Sequence, residues 1–415
     1  MGLNKKKNLL LLCLALETFL ASYGLISAPQ AAVVSVVYIG AALVFIYLML
    51  HLPAVRLPAR TDIKKQSFVK LPLLITMMVL AFITTRYWLD EIPLDPDFAD
   101  MLPIIKVMNE RFLHDGVQHV YDPVKLIWNG TLPIYLPAMW LPYLPAVAVQ
   151  ADLRWVTVIA LLLSFITVLA LISFRRNGRY AWGQMLVLAM LFWWLFARND
   201  VHGFISMSEE GMVVLYFVFL TVAIMSDSAL LMGIAASLCM LSRYSMIGWL
   251  LPCIIFFLSK NDYRKLIVFS VTGLLIFLVL FWFPFGFATF QQMVLLPHSY
   301  VAFAEKVWEN SPDVYWLNLG LAKFYGRYRM QLLHQSLLVL SFAIPLLFIG
   351  FCLMQKKWKL NNINLASFKL SLLVFYQFID VPYGYLFYTN VFVSMIIAAL
   401  MLNPERTVPF PEASR

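Results

Sequence analysis

Charge is the scarcest commodity in this sequence: Asp, Glu, Lys and Arg make up 13% of 415 residues, while hydrophobic residues make up 62%. Soluble domains carry about a quarter charged residues. The mean hydropathy of +0.80 excludes a water-exposed surface over most of the chain. Cysteine is also sparse. All four (Cys13, Cys239, Cys253, Cys352) fall inside apolar runs with no Cys-x-x-Cys or Cys/His grouping, which excludes a disulfide framework or a cysteine metal centre. A Gly-rich phosphate loop is missing, which speaks against a nucleotide cofactor. A sequence repeat and a low-complexity tract are missing too. There is no basic groove with interleaved aromatics, so the net charge of +9 does not describe a nucleic-acid surface.

What remains is one apolar run after another, each of a length to cross a ~30 Å hydrocarbon core. The fold class expected is all-α, a polytopic transmembrane helical bundle of about 12 spans. The spans fall at 9–28, 31–51, 70–87, 153–174, 180–197, 211–226, 229–242, 245–259, 266–284, 335–354, 366–380 and 383–402. With a cytoplasmic N-terminus, every basic cluster lands on one side: Lys5–Lys7, the Arg56–Lys70 loop, Arg175–Arg179, Lys260–Lys265 and Lys356–Lys359. Both termini are then cytoplasmic. Among the spans, Glu17 is the ionisable residue that stands out, and packing between the first two helices is its expected role.

Two long segments interrupt the rhythm, 86–133 and 285–334, and both are expected outside. After the first comes an apolar stretch cut by Pro133, Pro137, Pro142 and Pro145. Proline removes backbone donors and kinks helices, so this stretch reads as interfacial or re-entrant, its freed carbonyls buried in protein.

The candidate chemistry sits on the outer face. Asp95-Pro-Asp97-Phe98 offers a carboxylate that could act as a general base when partly desolvated, or an acidic turn entering the helix at Met101. Ser206-x-x-Glu209 has capping-box spacing, and Glu210 follows it. His202 in the same loop could meet a phosphate or be solvated. Arg243 lies between two short apolar runs and either snorkels to headgroups or presents a fixed positive charge to an anionic ligand. Asp380, beside Pro382 and Gly384, reads as a turn acid. Asn129-Gly-Thr131 is a glycosylation sequon facing outward.

The order of these features resembles a known superfamily. An outer-loop Asp-Phe follows a transmembrane helix, then Gly116-Val-Gln-His-Val-Tyr121, then Leu132-Pro-Ile-Tyr135-Leu-Pro137-Ala-Met-Trp-Leu-Pro142-Tyr-Leu-Pro145. Further on, Leu231-Met-Gly-Ile-Ala-Ala-Ser-Leu-Cys-Met-Leu-Ser-Arg243 is a small-residue helix ending in a basic residue, followed by a short helix closing at Pro252. Over about residues 68–350 the chain is similar to the polytopic glycosyltransferases of the GT-C superfamily, in particular the bacterial mannosyltransferase-like branch that uses polyprenyl-phosphate sugars. It departs from that pattern in its two extra N-terminal helices, in Arg where Lys is common, and in Asp-Pro-Asp where a lone Asp is usual.

The resemblance implies a GT-C-like catalytic domain at 68–404, preceded by a helix pair and loop at 1–67 and followed by a cytoplasmic tail at 405–415. It also implies helices in the outer-face loops. Asp97 matches the proposed base, with Asp95 as its understudy. Arg243, aided by His202, matches the basic position near the donor phosphate, and Tyr135 the Tyr/Pro run under the loop. Glu209, Glu210, His298 and Tyr135 are candidate substrate-binding residues. The expected activity is inverting transfer of a hexose, mannose-like, from a lipid-linked donor to a glycan or lipid hydroxyl on the outer, periplasmic face of a bacterial inner membrane. No cofactor is required, although Asp95 and Asp97 could bind a divalent metal. Two other readings stay open. One is an O-antigen ligase or polymerase, which would use His298, Arg327 and Arg329. The other is a lipid or solute transporter, which would need ionisable residues deep in several spans.

Overall fold

A computed structural model describes residues 1–23, 28–55, 57, 67–94, 96, 100–125, 127, 130, 132–172, 178–197, 203–295, 300–355 and 360–402. Among these the structure is helical, with no strand. The first part of the chain forms α1 (Leu3–Tyr23), α2 (Ala28–His51), α3 (Ser67–Glu91), α4 (Met101–His114), α5 (Pro137–Trp140) and α6 (Leu144–Ala148). The middle forms α7 (Arg154–Leu171), α8 (Gly178–Ala197), α9 (Phe204–Met207), α10 (Glu210–Met225), α11 (Ala229–Met240) and α12 (Ile247–Ser259). Then come α13 (Tyr263–Phe277), a π-helical turn over 278–282, α14 (Phe283–Leu295), α15 (Tyr300–Asn310) and α16 (Asp313–Trp316). The chain closes with α17 (Met330–Met354), α18 (Ile363–Phe378) and α19 (Tyr388–Met401).

Among the described residues seven helical stretches are long and apolar enough to cross a membrane: Gln30–His51, Lys70–Glu91, Arg154–Leu171, Gly178–Ala197, Tyr263–Met293, Arg327–Met354 and Gly384–Met401. Four more apolar helices are shorter, at Glu210–Met225, Ala229–Met240, Tyr244–Ser259 and Ile363–Phe378. α1 is not among the seven. The stretches differ in what covers them. In its most apolar window Gly384–Met401 is 89% buried, whereas Tyr263–Met293 is 11% and Lys70–Glu91 17% buried. The outer helices expose apolar side chains such as Ile75, Val79 and Phe82 on α3 and Ile267, Val271 and Leu274 on α13. Such faces are unfavourable in water and suited to lipid tails.

Antiparallel alternation sorts the helix ends into two groups. At one end Lys6 donates to His51 O at 3.1 Å, Tyr180 to Asn8 Oδ1 at 3.0 Å, Lys70 to Ala170 O at 3.0 Å, and Lys265 to Asp227 Oδ2 at 2.7 Å. Lys6, Lys70 and Lys265, each from a basic segment that the positive-inside pattern puts on one face, therefore lie at one end of the bundle. The opposite end gathers Asp100, Glu209, Glu210, Arg243 and Asp380.

The Pro/Tyr run is folded into protein at that second end. Pro137, Ala138, Met139, Trp140 and Tyr143 are all buried. Their proline-broken turns leave carbonyls without helical partners, and side chains supply them. Tyr121 OH donates to Tyr135 O (3.1 Å), Tyr216 OH to Ala138 O (3.0 Å) and Asn109 Nδ2 to Trp140 O (3.0 Å). The backbone N–H of Ala138 donates to Leu241 O at 3.0 Å, which ties the run to the end of α11, two residues before Arg243.

Candidate functional site

The site begins where α10 begins. Capping-box spacing would start a helix at Ser206 and place Glu209 in its first turn. The structure instead starts α10 at Glu210, with Glu209 at the N-cap position making no side-chain capping bond. Tertiary contacts set this register. Thr157 Oγ1 donates to Ser208 O at 2.9 Å, Tyr143 OH lies 2.9 Å from Thr157 Oγ1, and Ser208 Oγ accepts from Glu210 N at 2.9 Å. Gly211 lets α10 approach α7 closely, since a Cβ there would sit 2.5 Å from the carbonyl oxygen of Thr157. The Glu209 side chain is thereby released from capping and directed elsewhere.

It meets Arg243. The guanidinium Nη2 lies 3.2 Å from Glu209 Oε1 and 2.6 Å from Glu210 Oε2. Both glutamates are buried, at 1% and 0% side-chain exposure, and Arg243 retains 17%. Thr389 Oγ1 from α19 donates to the other oxygen of Glu210 at 3.1 Å. Among the described residues, Glu209 Oε2 and Arg243 Nε have no hydrogen-bond partner. Burial pushes the Glu209 carboxyl upward, Arg243 pulls it down, and the charge of Asp100 adds to the rise. Both glutamate side chains face the one guanidinium, so Arg243 is paired within the protein. Arg243 is thus neither a snorkelling anchor nor an unpaired cation.

Tyrosines wall the cluster. Tyr376 OH donates to Ser245 Oγ (3.4 Å), two residues from Arg243. The charge of Glu209 is felt at Tyr135, Tyr143, Tyr300 and Tyr385, and burial raises the phenols of Tyr135 and Tyr300. Tyr383 and Tyr385 stack with ring centroids 5.4 Å apart and an interplanar angle of 7°. Tyr135, Glu209, Glu210 and Arg243, all expected to take part from the sequence, therefore share one neighbourhood. Asp95, Asp97, His202, His298 and the sequon residues Asn129 and Thr131 lie outside the described residues. Among the described residues no group of three or more His, Cys, Asp or Glu is placed to hold a metal ion.

Two polar pairs differ from the sequence reading. Asp380 is no solvated turn acid: it is 5% exposed and its Oδ2 lies 2.8 Å from His334 Nδ1 of α17. Glu17 does not merely pack between the first two helices, for Lys369 of α18 places Nζ 2.7 Å from Glu17 Oε2, with neither side chain exposed. Lys369 was legible as a lone lysine inside an apolar run, which requires a partner in the bundle. The chain matches no protein-family model, no curated protein and no solved structure.

Proposed function

We propose that the chain is a membrane glycosyltransferase of the GT-C type, moving a hexose from a polyprenyl-phosphate donor to a hydroxyl acceptor. The observation that carries this reading is the Glu209–Glu210–Arg243 cluster, buried where the ends of α10 and α11 meet and walled by tyrosines. Carboxylates accept hydrogen bonds from sugar hydroxyls, aromatic faces suit the apolar side of a sugar ring, and a guanidinium matches phosphate geometry bidentately. The end of the bundle holding the cluster is taken as periplasmic, because Lys6, Lys70 and Lys265 lie at the other end.

Arg243 serves the donor phosphate by exchange. A phosphate oxygen replaces a glutamate oxygen at the guanidinium, and the glutamate so released accepts a hydroxyl of the sugar. The acceptor hydroxyl gives its proton to Asp97 and attacks the anomeric carbon. The bond to the lipid phosphate breaks, and the electron pair leaves with the phosphate against Arg243, with inversion. The work of the site is alignment and charge neutralisation in a dry pocket.

The assay is transfer from a panel of polyprenyl-phosphate sugars by purified protein in nanodiscs. Arg243→Ala should abolish transfer and Arg243→Lys retain part of it, since lysine keeps charge and loses the fork. Wild-type rates in both variants, with normal insertion, would remove Arg243 from the chemistry. The transporter reading gains Lys369 as a second deep ionisable group. Its ammonium, however, is buried and bonded to Glu17 and Asn390. The ligase reading gains nothing from Arg327, which is paired with Glu309 at the surface.

A further inference from the structure

Thr389 and Asn390 are neighbours in the first turn of α19, and each is tied to a different polar group. Thr389 Oγ1 donates to Glu210 Oε1 at 3.1 Å, and the other oxygen of Glu210, Oε2, lies 2.6 Å from Arg243 Nη2. The threonine thus holds the carboxylate by one oxygen and leaves the other to the guanidinium. Asn390 is tied elsewhere. Its Nδ2 donates to Tyr38 OH of α2 at 2.7 Å, and its Oδ1 accepts from Lys369 Nζ at 2.8 Å. An ammonium has donors only, so the amide must give it Oδ1, and Nδ2 is left for the phenol. The Asn390 side chain therefore has one orientation.

Tyr38 grips the same turn twice. Besides the bond to Asn390, its ring meets that of Phe387 edge-on, with centroids 5.9 Å apart and planes at 88°. Thr389 stands between those two contacts in the chain. Lys369 is fixed in turn by Glu17 of α1 at 2.7 Å, and Ser394 of α19 donates to the same Glu17 oxygen at 2.7 Å. Tyr38, Asn390, Lys369, Glu17, Thr389 and Glu210 are each 1% exposed or less. Hydrogen bonds in so low a dielectric are stronger than in water and hold their partners in place. One turn of α19 thereby links α1 and α2 to the Arg243 cluster.

We propose that Tyr38 is a positioning residue for the Arg243 cluster: acting through Asn390, it sets the rotation and height of Thr389, and so the angle at which Glu210 holds the guanidinium. The part of the cluster in transfer rests on the glycosyltransferase reading, and the linkage rests on the contacts above. Where a donor phosphate takes a glutamate's place at Arg243, a slack Glu210 yields that place too readily and leaves the guanidinium poorly aimed.

Modification of Arg243 by phenylglyoxal, mapped by mass spectrometry on the full chain in nanodiscs, reads the grip of Glu210 without any turnover. Thr389→Val and Tyr38→Phe should each raise the rate about tenfold, the effect of losing the charge-assisted bond to Glu210, and Thr389→Ser should stay at the wild-type rate. Combining Thr389→Val with Tyr38→Phe should add nothing further, because both cut one link. Tyr38→Phe paired with Asn390→Leu removes donor and acceptor together, spares the fold a stranded amide, and should raise the rate equally. In transfer assays Tyr38→Phe should lower kcat about tenfold and lower the donor KM with it, whereas a loss of folded protein lowers kcat alone. Wild-type reactivity of Arg243 in both Tyr38→Phe and its pairing with Asn390→Leu, additive effects of Tyr38→Phe and Thr389→Val, or an unchanged donor KM overturns the proposal. The expected reactivities without transfer from any donor sink the glycosyltransferase reading alone. Transfer by the wild type, with Arg243 reactivity indifferent to Tyr38, sinks this inference alone.

Discussion

The Glu17–Lys369 pair can be probed without knowing the reaction. Lys369 Nζ lies 2.7 Å from Glu17 Oε2, 2.8 Å from Asn390 Oδ1 and 3.2 Å from Asn390 O. Ser394 Oγ donates to the same Glu17 oxygen at 2.7 Å, and the Phe45 ring lies 5.6 Å from the ammonium. At an effective dielectric of about 20, the Coulomb attraction over that separation is roughly 6 kcal/mol. Desolvation of two ions cancels most of this, several kcal/mol for each. The pair as a whole should therefore contribute little net stability. Removing one partner is a different matter, because the survivor is left buried and uncompensated, at about 3–5 kcal/mol. Lys369→Met and Glu17→Gln should each lose stability of that order in reversible unfolding in detergent micelles. The double variant should recover most of the loss, giving a large coupling energy. If either single variant unfolds like wild type, or the double variant is as unstable as the sum of the two, the pair is not closed in the way described.

Three further outcomes are expected. Asp97→Asn should lower transfer by about 10²–10⁴-fold, the usual worth of general-base help, and Asp95→Asn by less; full activity in both would place the base elsewhere. In a cysteine-free background Asp115→Cys, at the exposed end of α4, should label from the periplasmic side, and labelling only from the cytoplasm would invert the bundle. The Asp380 carboxyl is raised by burial, with the His334 contact opposing. A raised folded-state pKa stabilises below the ordinary carboxylate range and loses that contribution as pH climbs through the folded value. Asp380→Asn should flatten the decline in Tm over that upward window, and an unchanged pH profile would mean that Asp380 is not titrating in the folded protein.

Helix positions were largely legible, because apolar runs and their basic flanks act locally and one at a time. So were the proline-broken run and the position of Arg243, a charge isolated between apolar stretches. The partners of that charge were not. Glu209 fits a local capping rule, and what overrides the rule is a contact from Thr157 and a close approach at Gly211, both distant in sequence. Asp380 likewise looks like a turn acid until α17 brings His334 beside it. Lys369 is visible as a lone charge in an apolar run, but nothing in that run names Glu17 as its partner. In each case the deciding neighbour comes from a helix that no sequence window contains.

The most buried of the long apolar stretches, Gly384–Met401, also comes last of all of them in the sequence. α19 packs on α1, α7, α8, α10 and α18, so helices far apart in the sequence share it as a common wall. Assembly therefore cannot be completed helix by helix as the chain emerges. Until α19 is in place, Glu17 of α1 lacks Ser394, Lys369 of α18 lacks Asn390, and Glu210 lacks Thr389. The nascent protein must wait in the bilayer with polar groups unpaired, a period in which quality-control proteases have their best access to it. Its yield in the cell should then depend on the residues of α19 more steeply than on those of any lipid-facing helix.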